Sequence, residues 1–402
     1  MITLADVEAA RDRIRHAVRL TPCTLSESLS NQLGCEVYLK LENLQRTGSF
    51  KERGALNRLL TLGPEDRQRG VITASAGNHA QGLSYHGGRL GIPVTVVMPE
   101  TSPLIKINAN RSFGATVVLH GTRYDEAALE AWRRRDVEGL TYIHPFDDDL
   151  IIAGQGTIGL ELLDQVPGLQ AVLLAVGGGG LTAGTAVVMR ARAPNVQVIG
   201  VETRAFGVLE RSLHAHERIT VDPAITIADG IAVRTLGERT FPMLQQLVHR
   251  VLTVDDEEIA RAILALLEQD KTVAEGAGAA PLAGLFRIAP DLRSQKVALV
   301  VSGGNIDVNL LARIIERGLL KAGRMVKLTL ALLDRPGALA RLAETLADQR
   351  ANILEISHNR LSADSRLGEA RVELTLETRG EDHIRELMVE LGAKGYQLQR
   401  VH

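Results

Sequence analysis

The chain has 402 residues, which is more than one small hydrophobic core organises and favours two or three domains. Its formal net charge of −2 and its short basic runs give no reason to expect nucleic acid or an anionic membrane surface as a partner. No apolar run approaches the roughly 20 residues of a membrane helix, and the first residues lack a secretory signal pattern, so we expect a cytoplasmic protein.

The residue types that most often bind metals are sparse or badly spaced. Cys23 and Cys35 lack the CxxC spacing and the neighbouring histidines of a zinc site, so we expect reduced, packed thiols. The run Asp147-Asp148-Asp149 lacks the interleaved oxygen ligands of a calcium loop and is better suited to capping the helix that follows. We expect no metal ion at either place.

The first three hundred residues alternate apolar strands with helices. Leu4–Ala17 and Ser26–Leu33 have apolar positions at helical spacing, and Thr21-Pro22-Cys23-Thr24 breaks the pattern between them. From Val37 onward the predicted strands are Val71–Thr73, Val94–Met98, Thr116–Leu119, Gly139–Ile143, Ala171–Val176, Val196–Val201 and Val297–Val301. Such alternation predicts parallel sheets covered by helices, an α/β fold.

A second segment follows a predicted helix at Asn309–Lys321 and a short linker at residues 322–325. Its predicted strands are Val326–Leu333, Asn352–Leu361, Glu369–Glu377 and Tyr396–Val401, and its predicted helices are Pro336–Gln349 and Asp382–Lys394. The resulting βαββαβ order is that of a ferredoxin-like domain, which we place at residues 326–402.

Four motifs lie where strands of the first segment pass into loops, the edge at which open α/β sheets bind ligands. They are Gly48-Ser49-Phe50-Lys51, Ser75-Ala76-Gly77-Asn78-His79, Gly177-Gly178-Gly179-Gly180-Leu181 and Ser302-Gly303-Gly304-Asn305. A lysine such as Lys51, taken alone, is more often a solvated surface charge than a reactive amine. A glycine run could be a flexible turn, but between a strand and a helix it can bring backbone N–H groups to a phosphate.

In this order and at these separations, the four motifs resemble those of the pyridoxal-phosphate enzymes of the tryptophan-synthase-β type (fold type II), most closely the threonine dehydratases, or threonine ammonia-lyases. The resemblance covers residues 1 to about 320. It implies a catalytic region at residues 1–321, in which a smaller α/β domain at about residues 50–145 is inserted into a larger one. It also implies pyridoxal 5′-phosphate as the cofactor, held between the two.

The resemblance assigns roles to single residues. Lys51 would bind the cofactor covalently and, as a free amine, take the α-proton of the substrate. The other cofactor contacts would come from Phe50 on the ring, Asn78 on the ring hydroxyl, Ser302 at the pyridine nitrogen, and Gly177, Gly178, Gly179, Gly180 and Leu181 around the phosphate. The substrate carboxylate would lie in the loop Ser75, Ala76, Gly77, Asn78 and His79. Asparagine beside glycine is also common in plain turns, and His79 and Phe50 are equally compatible with packing roles.

The side chain expected at the pyridine nitrogen bears on the reaction. The hydroxyl of Ser302 cannot keep that nitrogen protonated by ion pairing, which favours prompt loss of a β-substituent over transamination. The implied reaction is elimination of water from L-threonine, with L-serine as a secondary substrate, giving 2-oxobutanoate or pyruvate and ammonia. The acid that protonates the departing hydroxide stays open, with the cofactor phosphate as one candidate.

Two other functions remain open. Serine racemases share these motifs but have a second serine where this chain has Ala76, whose side chain has no proton to give. A non-catalytic amino-acid sensor is conceivable, although Lys51 and the intact loops argue against it. The family's divalent-cation site would need an acidic side chain six residues after Glu202, where Val208 stands, so we expect no tight magnesium or calcium site there and leave a monovalent ion open.

The turn at the start of the second segment resembles that of an ACT domain, a regulatory module that often binds amino acids. The residues that carry this resemblance, and that would hold an effector, are Asp334, Arg335, Pro336, Gly337, Ala338 and Leu339, with Asn352 and Ile353 downstream. Gly337 would let the backbone approach a ligand, and the following helix would offer free N–H groups to a carboxylate. We expect a homo-oligomer, a dimer or tetramer; a purely structural dimerisation domain is the alternative.

Overall fold

The computed structural model describes residues 1–360 and 366–401, and it divides into two compact units, Met1–Ile306 and Asp307–His402. The helices are α1 (Leu4–Ile14), α2 (Glu27–Leu33), α3 (Lys51–Leu60), α4 (Pro64–Arg69), α5 (Asn78–Leu90), α6 (Leu104–Ser112), α7 (Tyr124–Glu138), α8 (Asp149–Gln165), α9 (Gly180–Arg192), α10 (Val208–Ala215), α11 (Thr240–Leu247), α12 (Asp256–Asp270), α13 (Gly276–Ile288), α14 (Val308–Lys321), α15 (Ala338–Asp348) and α16 (Glu381–Ala393). The strands are β1 (Cys23–Leu25), β2 (Glu36–Leu41), β3 (Val71–Ala74), β4 (Val94–Met98), β5 (Thr116–Leu119), β6 (Thr141–Tyr142), β7 (Ala171–Ala175), β8 (Gln197–Thr203), β9 (Arg250–Val254), β10 (Lys296–Val301), β11 (Met325–Leu333), β12 (Asn352–Asn359), β13 (Glu369–Glu377) and β14 (Gln397–Arg400).

The first unit is built on two sheets. The larger has the strand order β1-β2-β10-β7-β8-β9, and its neighbouring strands are parallel except for the pair β1–β2. The smaller, β5-β4-β3-β6, is parallel throughout. The predicted fold of parallel sheets flanked by helices is therefore confirmed. The sequence analysis did not predict β1, which lies in the segment interpreted as a break, or β9, whose residues do not form a continuous apolar run.

Helices cover both faces of the larger sheet, which explains its uniformly apolar central strands. All five residues of β7 are buried, as are the five residues of β10 from Val297 to Val301. Helices α8 and α9 approach closely because glycines lie where they meet: a Cβ atom on Gly184 would lie 2.4 Å from the carbonyl oxygen of Ile152. The close approach of α8 and α9 positions the first turn of α9 just after the end of β7.

The second unit has a four-stranded antiparallel sheet of order β12-β13-β11-β14. Alternate residues of β11, from Val326 to Leu332, pack against Leu342 of α15 and Ile384 of α16 in one apolar core. The chain order β11-α15-β12-β13-α16-β14 is the predicted βαββαβ. The expected strand end at Leu361 and the terminal His402 lie outside the described residues.

Helix α14 belongs to the second unit, although we had expected it to end the first region. Glu316 of α14 forms an ion pair with Lys327 of β11, with Oε1 2.7 Å from Nζ. In residues 1–360 and 366–401, no helix combines the length and apolar character needed to cross a membrane. The same ranges contain no cluster of three or more histidine, cysteine, aspartate or glutamate side chains arranged to hold a metal ion.

Candidate active site

Lys51 is the first residue of α3, at the turn that follows β2. Its side chain is half-buried, and Nζ donates a hydrogen bond to the carbonyl oxygen of Pro145 at 2.8 Å. Burial lowers the pKa of Lys51 to about 8, against the opposing effect of the negative charge of Glu275. The amine is therefore neutral in about a tenth of the molecules at pH 7, far more than for an exposed lysine.

The glycine loop connects β7 to α9. Gly179 has a φ of +93° and is the N-cap of α9, a backbone conformation that favours glycine. A Cβ atom on Gly178 would lie 2.3 Å from the ring of Phe146, and one on Gly179 would lie 2.6 Å from Leu244. Side chains are thus excluded, and the unpaired N–H groups at the start of α9 are suited to a phosphate.

The loop Ser75–His79 connects β3 to α5 and is half-buried up to Asn78. The N–H of Gly77 donates to Oγ of Ser75 at 3.2 Å. His79 is buried, its Nε2 lies 3.3 Å from the carbonyl oxygen of Ile143, and burial lowers its pKa to about 3. His79 is therefore neutral, and among the described residues its Nδ1 has no hydrogen-bond partner.

Ser302 directly follows β10 and is 2% exposed. Its carbonyl oxygen accepts a hydrogen bond from the N–H of Phe50 at 3.0 Å, and the N–H of Gly304 donates to the carbonyl oxygen of Gly48 at 2.9 Å. The backbone thus joins two motifs that lie about 250 residues apart in the sequence. Lys51, Phe50 and Ser302 consequently lie in one crevice.

Glu275 belongs to the site and was missed by the sequence analysis. It is 5% exposed, and its Oε1 accepts a hydrogen bond from Nδ2 of Asn78 at 2.7 Å. Burial, reinforced by the negative charge of Asp229, raises the pKa of Glu275 to about 7, while the hydrogen bond from Asn78 acts in the opposite direction. The sequence feature that could have identified Glu275 is its position as a single acidic residue in a run of small residues, Ala274-Glu275-Gly276-Ala277-Gly278.

The segment between β6 and α8 was also missed as part of the site. Pro145 accepts from Lys51, and Phe146 packs against the glycine loop. Oδ1 of Asp147 accepts from the N–H of Arg239 at 2.8 Å, just before α11, and Oδ1 of Asp148 accepts from the N–H of Leu150 at 2.8 Å. The predicted capping role of this acidic run is confirmed for Asp148, the N-cap of α8.

Glu202, beside which we expect no tight divalent cation, caps a helix in this chain. Its carboxylate accepts hydrogen bonds from the N–H groups of Leu209 at 2.7 Å and Glu210 at 3.0 Å, in the first turn of α10. Val208 is buried in the apolar core. The expectation that no divalent cation binds tightly beside Glu202 stays a prediction.

The residues proposed to hold an effector are only partly brought together. Residues Leu332 to Leu339 line a concavity of about 200 Å³ together with His358 and Arg360, and Gly337 is the N-cap of α15 with a φ of +82°. Asn352 and Ile353 do not line it. They pair with Glu377 and Leu376, whereas the turn follows Leu333, which pairs with Glu369 at the other end of β13. Within one chain β12 therefore starts at the far end of the sheet from the turn, and a part for Asn352 and Ile353 in an effector site between two chains stays a prediction.

The residues of the crevice fit pyridoxal phosphate. The crevice offers a lysine amine with a lowered pKa, a side-chain-free loop at a helix N-terminus, a buried serine hydroxyl and a half-buried asparagine amide. These groups match an aldehyde, a phosphate, a ring nitrogen and a ring hydroxyl, respectively. The donors are therefore of the right kinds for each part of the cofactor.

The fold and the crevice define a class of enzyme, and comparison with known proteins identifies it. The chain belongs to the pyridoxal-phosphate dependent enzymes, whose family model matches residues 14–303. An L-threonine ammonia-lyase of Thermotoga maritima is 46% identical and covers 100% of both chains, and one of Geobacter sulfurreducens is 48% identical and covers 98% of both. The solved structure of the processed form of threonine deaminase isoform 2 from Solanum lycopersicum matches with a TM-score of 0.76 and 40% identity, covering 78% of this chain and 86% of that one. The family resemblance and the cofactor are confirmed.

Proposed function

We propose that this chain is a threonine ammonia-lyase that converts L-threonine to 2-oxobutanoate and ammonia, and L-serine to pyruvate and ammonia. The observation that carries the proposal is the amine of Lys51, with its lowered pKa, in a crevice built for pyridoxal phosphate. Full-length relatives named L-threonine ammonia-lyase support the choice of substrate. Water leaves the β-carbon first, and hydrolysis of the resulting enamine returns a water and releases ammonia, so the atoms balance.

The cofactor is held by main chain and side chain together. The N–H groups from Gly177 to Leu181 would bind the phosphate, Asn78 the ring hydroxyl and Ser302 the pyridine nitrogen, with Phe50 against the ring. Bound in this way, pyridoxal phosphate supplies an electron sink for the pair released at the substrate α-carbon.

Lys51 acts at Nζ as the group that binds the cofactor and as the base that takes the α-proton. A general base works best when its pKa is near the working pH, and burial brings the pKa of Lys51 to about 8. The loop Ser75–His79 would orient the substrate by binding its carboxylate with N–H groups at the start of α5. Neutral His79 adds no charge to this loop.

The nearest rival reaction is racemisation of serine. It requires a proton donor on the substrate face opposite Lys51, where the resemblance places Ala76. The methyl group of Ala76 lies against the apolar core of the smaller sheet and has no proton to give. We therefore assign elimination.

The test compares Lys51→Ala with Lys296→Ala. Both amines donate to a proline carbonyl, Lys51 to Pro145 at 2.8 Å and Lys296 to Pro167 at 3.1 Å, but Lys296 is at the start of β10. We expect Lys51→Ala to abolish keto-acid formation from threonine and the visible absorption of lysine-bound cofactor, and Lys296→Ala to retain both. A Lys51→Ala variant that turned over near the wild-type rate, or a colourless and inactive wild-type protein given cofactor, would refute the proposal.

The second unit would regulate the enzyme in a homo-oligomer. Strand β12 is an edge of its sheet, and its apolar residues Leu354 and Ile356 are 50% and 41% exposed. Such an edge is a template for pairing with another chain. A branched-chain amino acid, isoleucine or valine, would bind at the turn Asp334–Leu339, near the N–H groups at the start of α15.

A further inference from the structure

A chain of side-chain amides links the motifs of the crevice. Asn305 Nδ2 donates to the carbonyl oxygen of Thr47 at 2.8 Å and to Oδ1 of Asn78 at 2.8 Å, with Oε1 of Gln81 at 3.3 Å. Nδ2 of Asn78 then donates to Oε1 of Glu275 at 2.7 Å. Four segments that are distant in the sequence thus meet through one continuous set of hydrogen bonds.

The main-chain carbonyl of Thr47 determines the direction of every hydrogen bond in this series of side-chain amides. The main-chain carbonyl of Thr47 can only accept, so the amide of Asn305 must present Nδ2 to it. Oδ1 of Asn78 must then face Asn305, and Nδ2 must face the carboxylate. If the amide of Asn78 turned over, its nitrogen would face the nitrogen of Asn305 in every state, and its oxygen would also face a carboxylate oxygen whenever Glu275 is ionised.

Two glycines of the sequence motifs make room for these side chains. Gly48 has a φ of +73°, and a Cβ atom there would lie 2.4 Å from Oδ1 of Asn305. A Cβ atom on Gly303 would lie 2.4 Å from Oε1 of Glu275. Substitution at either position would displace Asn305 or Glu275. The two glycines therefore serve the amide chain as well as the shape of the turns.

We propose that Asn305 and Glu275 are positioning residues that hold the amide of Asn78 in one orientation, with Nδ2 presented to the cofactor. The inference rests on the proposed function, because it assigns Asn78 to the ring hydroxyl. One hydrogen of Nδ2 is used by Glu275, and the second has no partner among the described residues. That second hydrogen is the one available to the cofactor's ring hydroxyl oxygen.

The decisive variant is Asn305→Asp, which keeps the side chain's size but replaces the donating nitrogen with oxygen. The carboxylate would attract Nδ2 of Asn78, turn the amide and present an oxygen to the cofactor. We expect its dissociation constant for pyridoxal phosphate to rise at least about tenfold, since a favourable contact becomes a repulsive one. Asn305→Ala removes the side chain that orients the amide of Asn78 but does not favour the opposite orientation. It should raise the dissociation constant for pyridoxal phosphate by a smaller factor, about threefold to fivefold.

The matched control for the added charge is Gln81→Glu. It places a carboxylate next to the same amide nitrogen of Asn305 but leaves that nitrogen donating, so the orientation of Asn78 is kept. We expect a change in cofactor affinity of less than about threefold. The absorption spectrum of the bound cofactor is the second readout, because loss of a donor to the ring hydroxyl shifts its protonation equilibrium with pH, whereas a general loosening of the fold does not.

The outcomes separate this inference from the proposed function. A wild-type protein that binds no pyridoxal phosphate and leaves threonine unchanged would overturn the function itself. Wild-type protein that does both, with Asn305→Asp binding the cofactor as tightly and with the same spectrum, would overturn only the positioning role. Equal losses in Asn305→Asp and Gln81→Glu would also overturn it, because charge alone would then account for the effect.

Discussion

At the scale of single residues, burial changes the charge states of the two titratable groups on which the crevice depends. The pKa of Lys51 falls to about 8 and that of Glu275 rises to about 7, in both cases mainly because burial penalises the charged form. At pH 7, Glu275 is therefore protonated in about half of the molecules and Lys51 is neutral in about a tenth of them.

Glu275→Gln should change how stability depends on pH. The pKa of Glu275 is about 7 in the native state and about 4.5 when unperturbed, so it contributes stability below about pH 4.5 that is lost as the pH rises through 7. The loss is on the order of 3 kcal/mol at about 1.4 kcal/mol per pKa unit. Urea unfolding of cofactor-free protein from pH 4.5 to 8 should show wild type losing stability relative to Glu275→Gln. The charges of Lys51, Asp229 and Lys106 act on the same carboxyl.

The control for this measurement is Glu238→Gln, because the side chain of Glu238 is 79% exposed. Its stability curve should run parallel to that of the wild type. Parallel curves for Glu275→Gln as well would contradict a raised pKa for Glu275.

Ala76→Ser should introduce racemisation of serine. The new hydroxyl would supply a proton on the substrate face that Lys51 does not reach, in the half-buried loop before α5. Chiral chromatography after incubation with L-serine should detect D-serine at a rate roughly 1% or more of elimination, in keeping with the 10²-fold and larger contributions of positioned acids. Thr73→Ser, on the buried strand before the loop, is the matched control and should form none. Absence of D-serine from Ala76→Ser would place Ala76 outside the reach of the substrate α-carbon.

At the scale of elements, the start of α3 is supported by a buried network of charges. Arg53 is fully buried and forms ion pairs with Glu42 at 2.8 Å and Glu161 at 2.6 Å, and buried Lys40 shares Glu161. Two cations face two carboxylates. In addition, the hydroxyl of Thr21 donates to Glu42, and the hydroxyl oxygen of Thr157 accepts from Arg53. Arg53 lies two residues after Lys51, so this network holds the helix turn that presents the amine.

Arg53→Met should be strongly destabilising because it leaves Glu42 buried without its cation. Removing one member of a buried ion pair costs about 3–5 kcal/mol. The matched control is Arg58→Met on the same helix, because the side chains of Arg58 and its partner Asp148 are 21% and 22% exposed and water screens their charges, so this loss should cost less than that of Arg53. Urea midpoints of the two variants measure the difference. Equal losses would show that the network under α3 contributes no more than a single, partly exposed ion pair.

At the scale of the whole molecule, we expect occupancy of the effector site proposed for the second unit to be linked to occupancy of the crevice. Calorimetric titration of isoleucine and valine into the intact protein should show binding. Any effect on threonine affinity must be reciprocal, so an unreactive threonine analogue should change effector affinity by the same factor. If the effector changed the affinity for threonine but the threonine analogue left the affinity for the effector unchanged, the two sites would not be coupled at equilibrium.

The residue that tests the effector site is Gly337. Gly337→Ala places a side chain at a φ of +82°, which costs about 1–2 kcal/mol and should weaken effector binding roughly fivefold or more. Gly395→Ala is the matched control, because Gly395 has a φ of +85° in the same unit but lies outside the turn. If Gly337→Ala and Gly395→Ala changed effector binding equally, or if the wild type bound no effector, the second unit would be assigned to dimerisation instead.

The sequence by itself determined the order of most elements, though not β1 and β9, and the placement of Lys51, the glycine loop and Ser302 at the ends of strands. These are local properties, because apolar periodicity and glycine runs act over a few neighbouring residues. The same reasoning predicted the βαββαβ segment with its strands in the right order. It could not show that Asn352 and Ile353 lie at the other end of the sheet from the turn at Asp334 within one chain, since nearness in sequence does not say which end of an antiparallel strand a residue occupies.

The tertiary structure alone decided which polar groups meet in the crevice and what charge they carry. Asn78 and Glu275 are 197 residues apart, and Arg53 and Glu161 are 108 apart, so no local pattern connects them. Their hydrogen bonds and pKa values depend on burial, which exists only after the two sheets have formed and been covered by helices. For the same reason, Glu275 could not be recognised as part of the site from its neighbours, although the glycines that make room for it and for Asn305 were already visible as motifs.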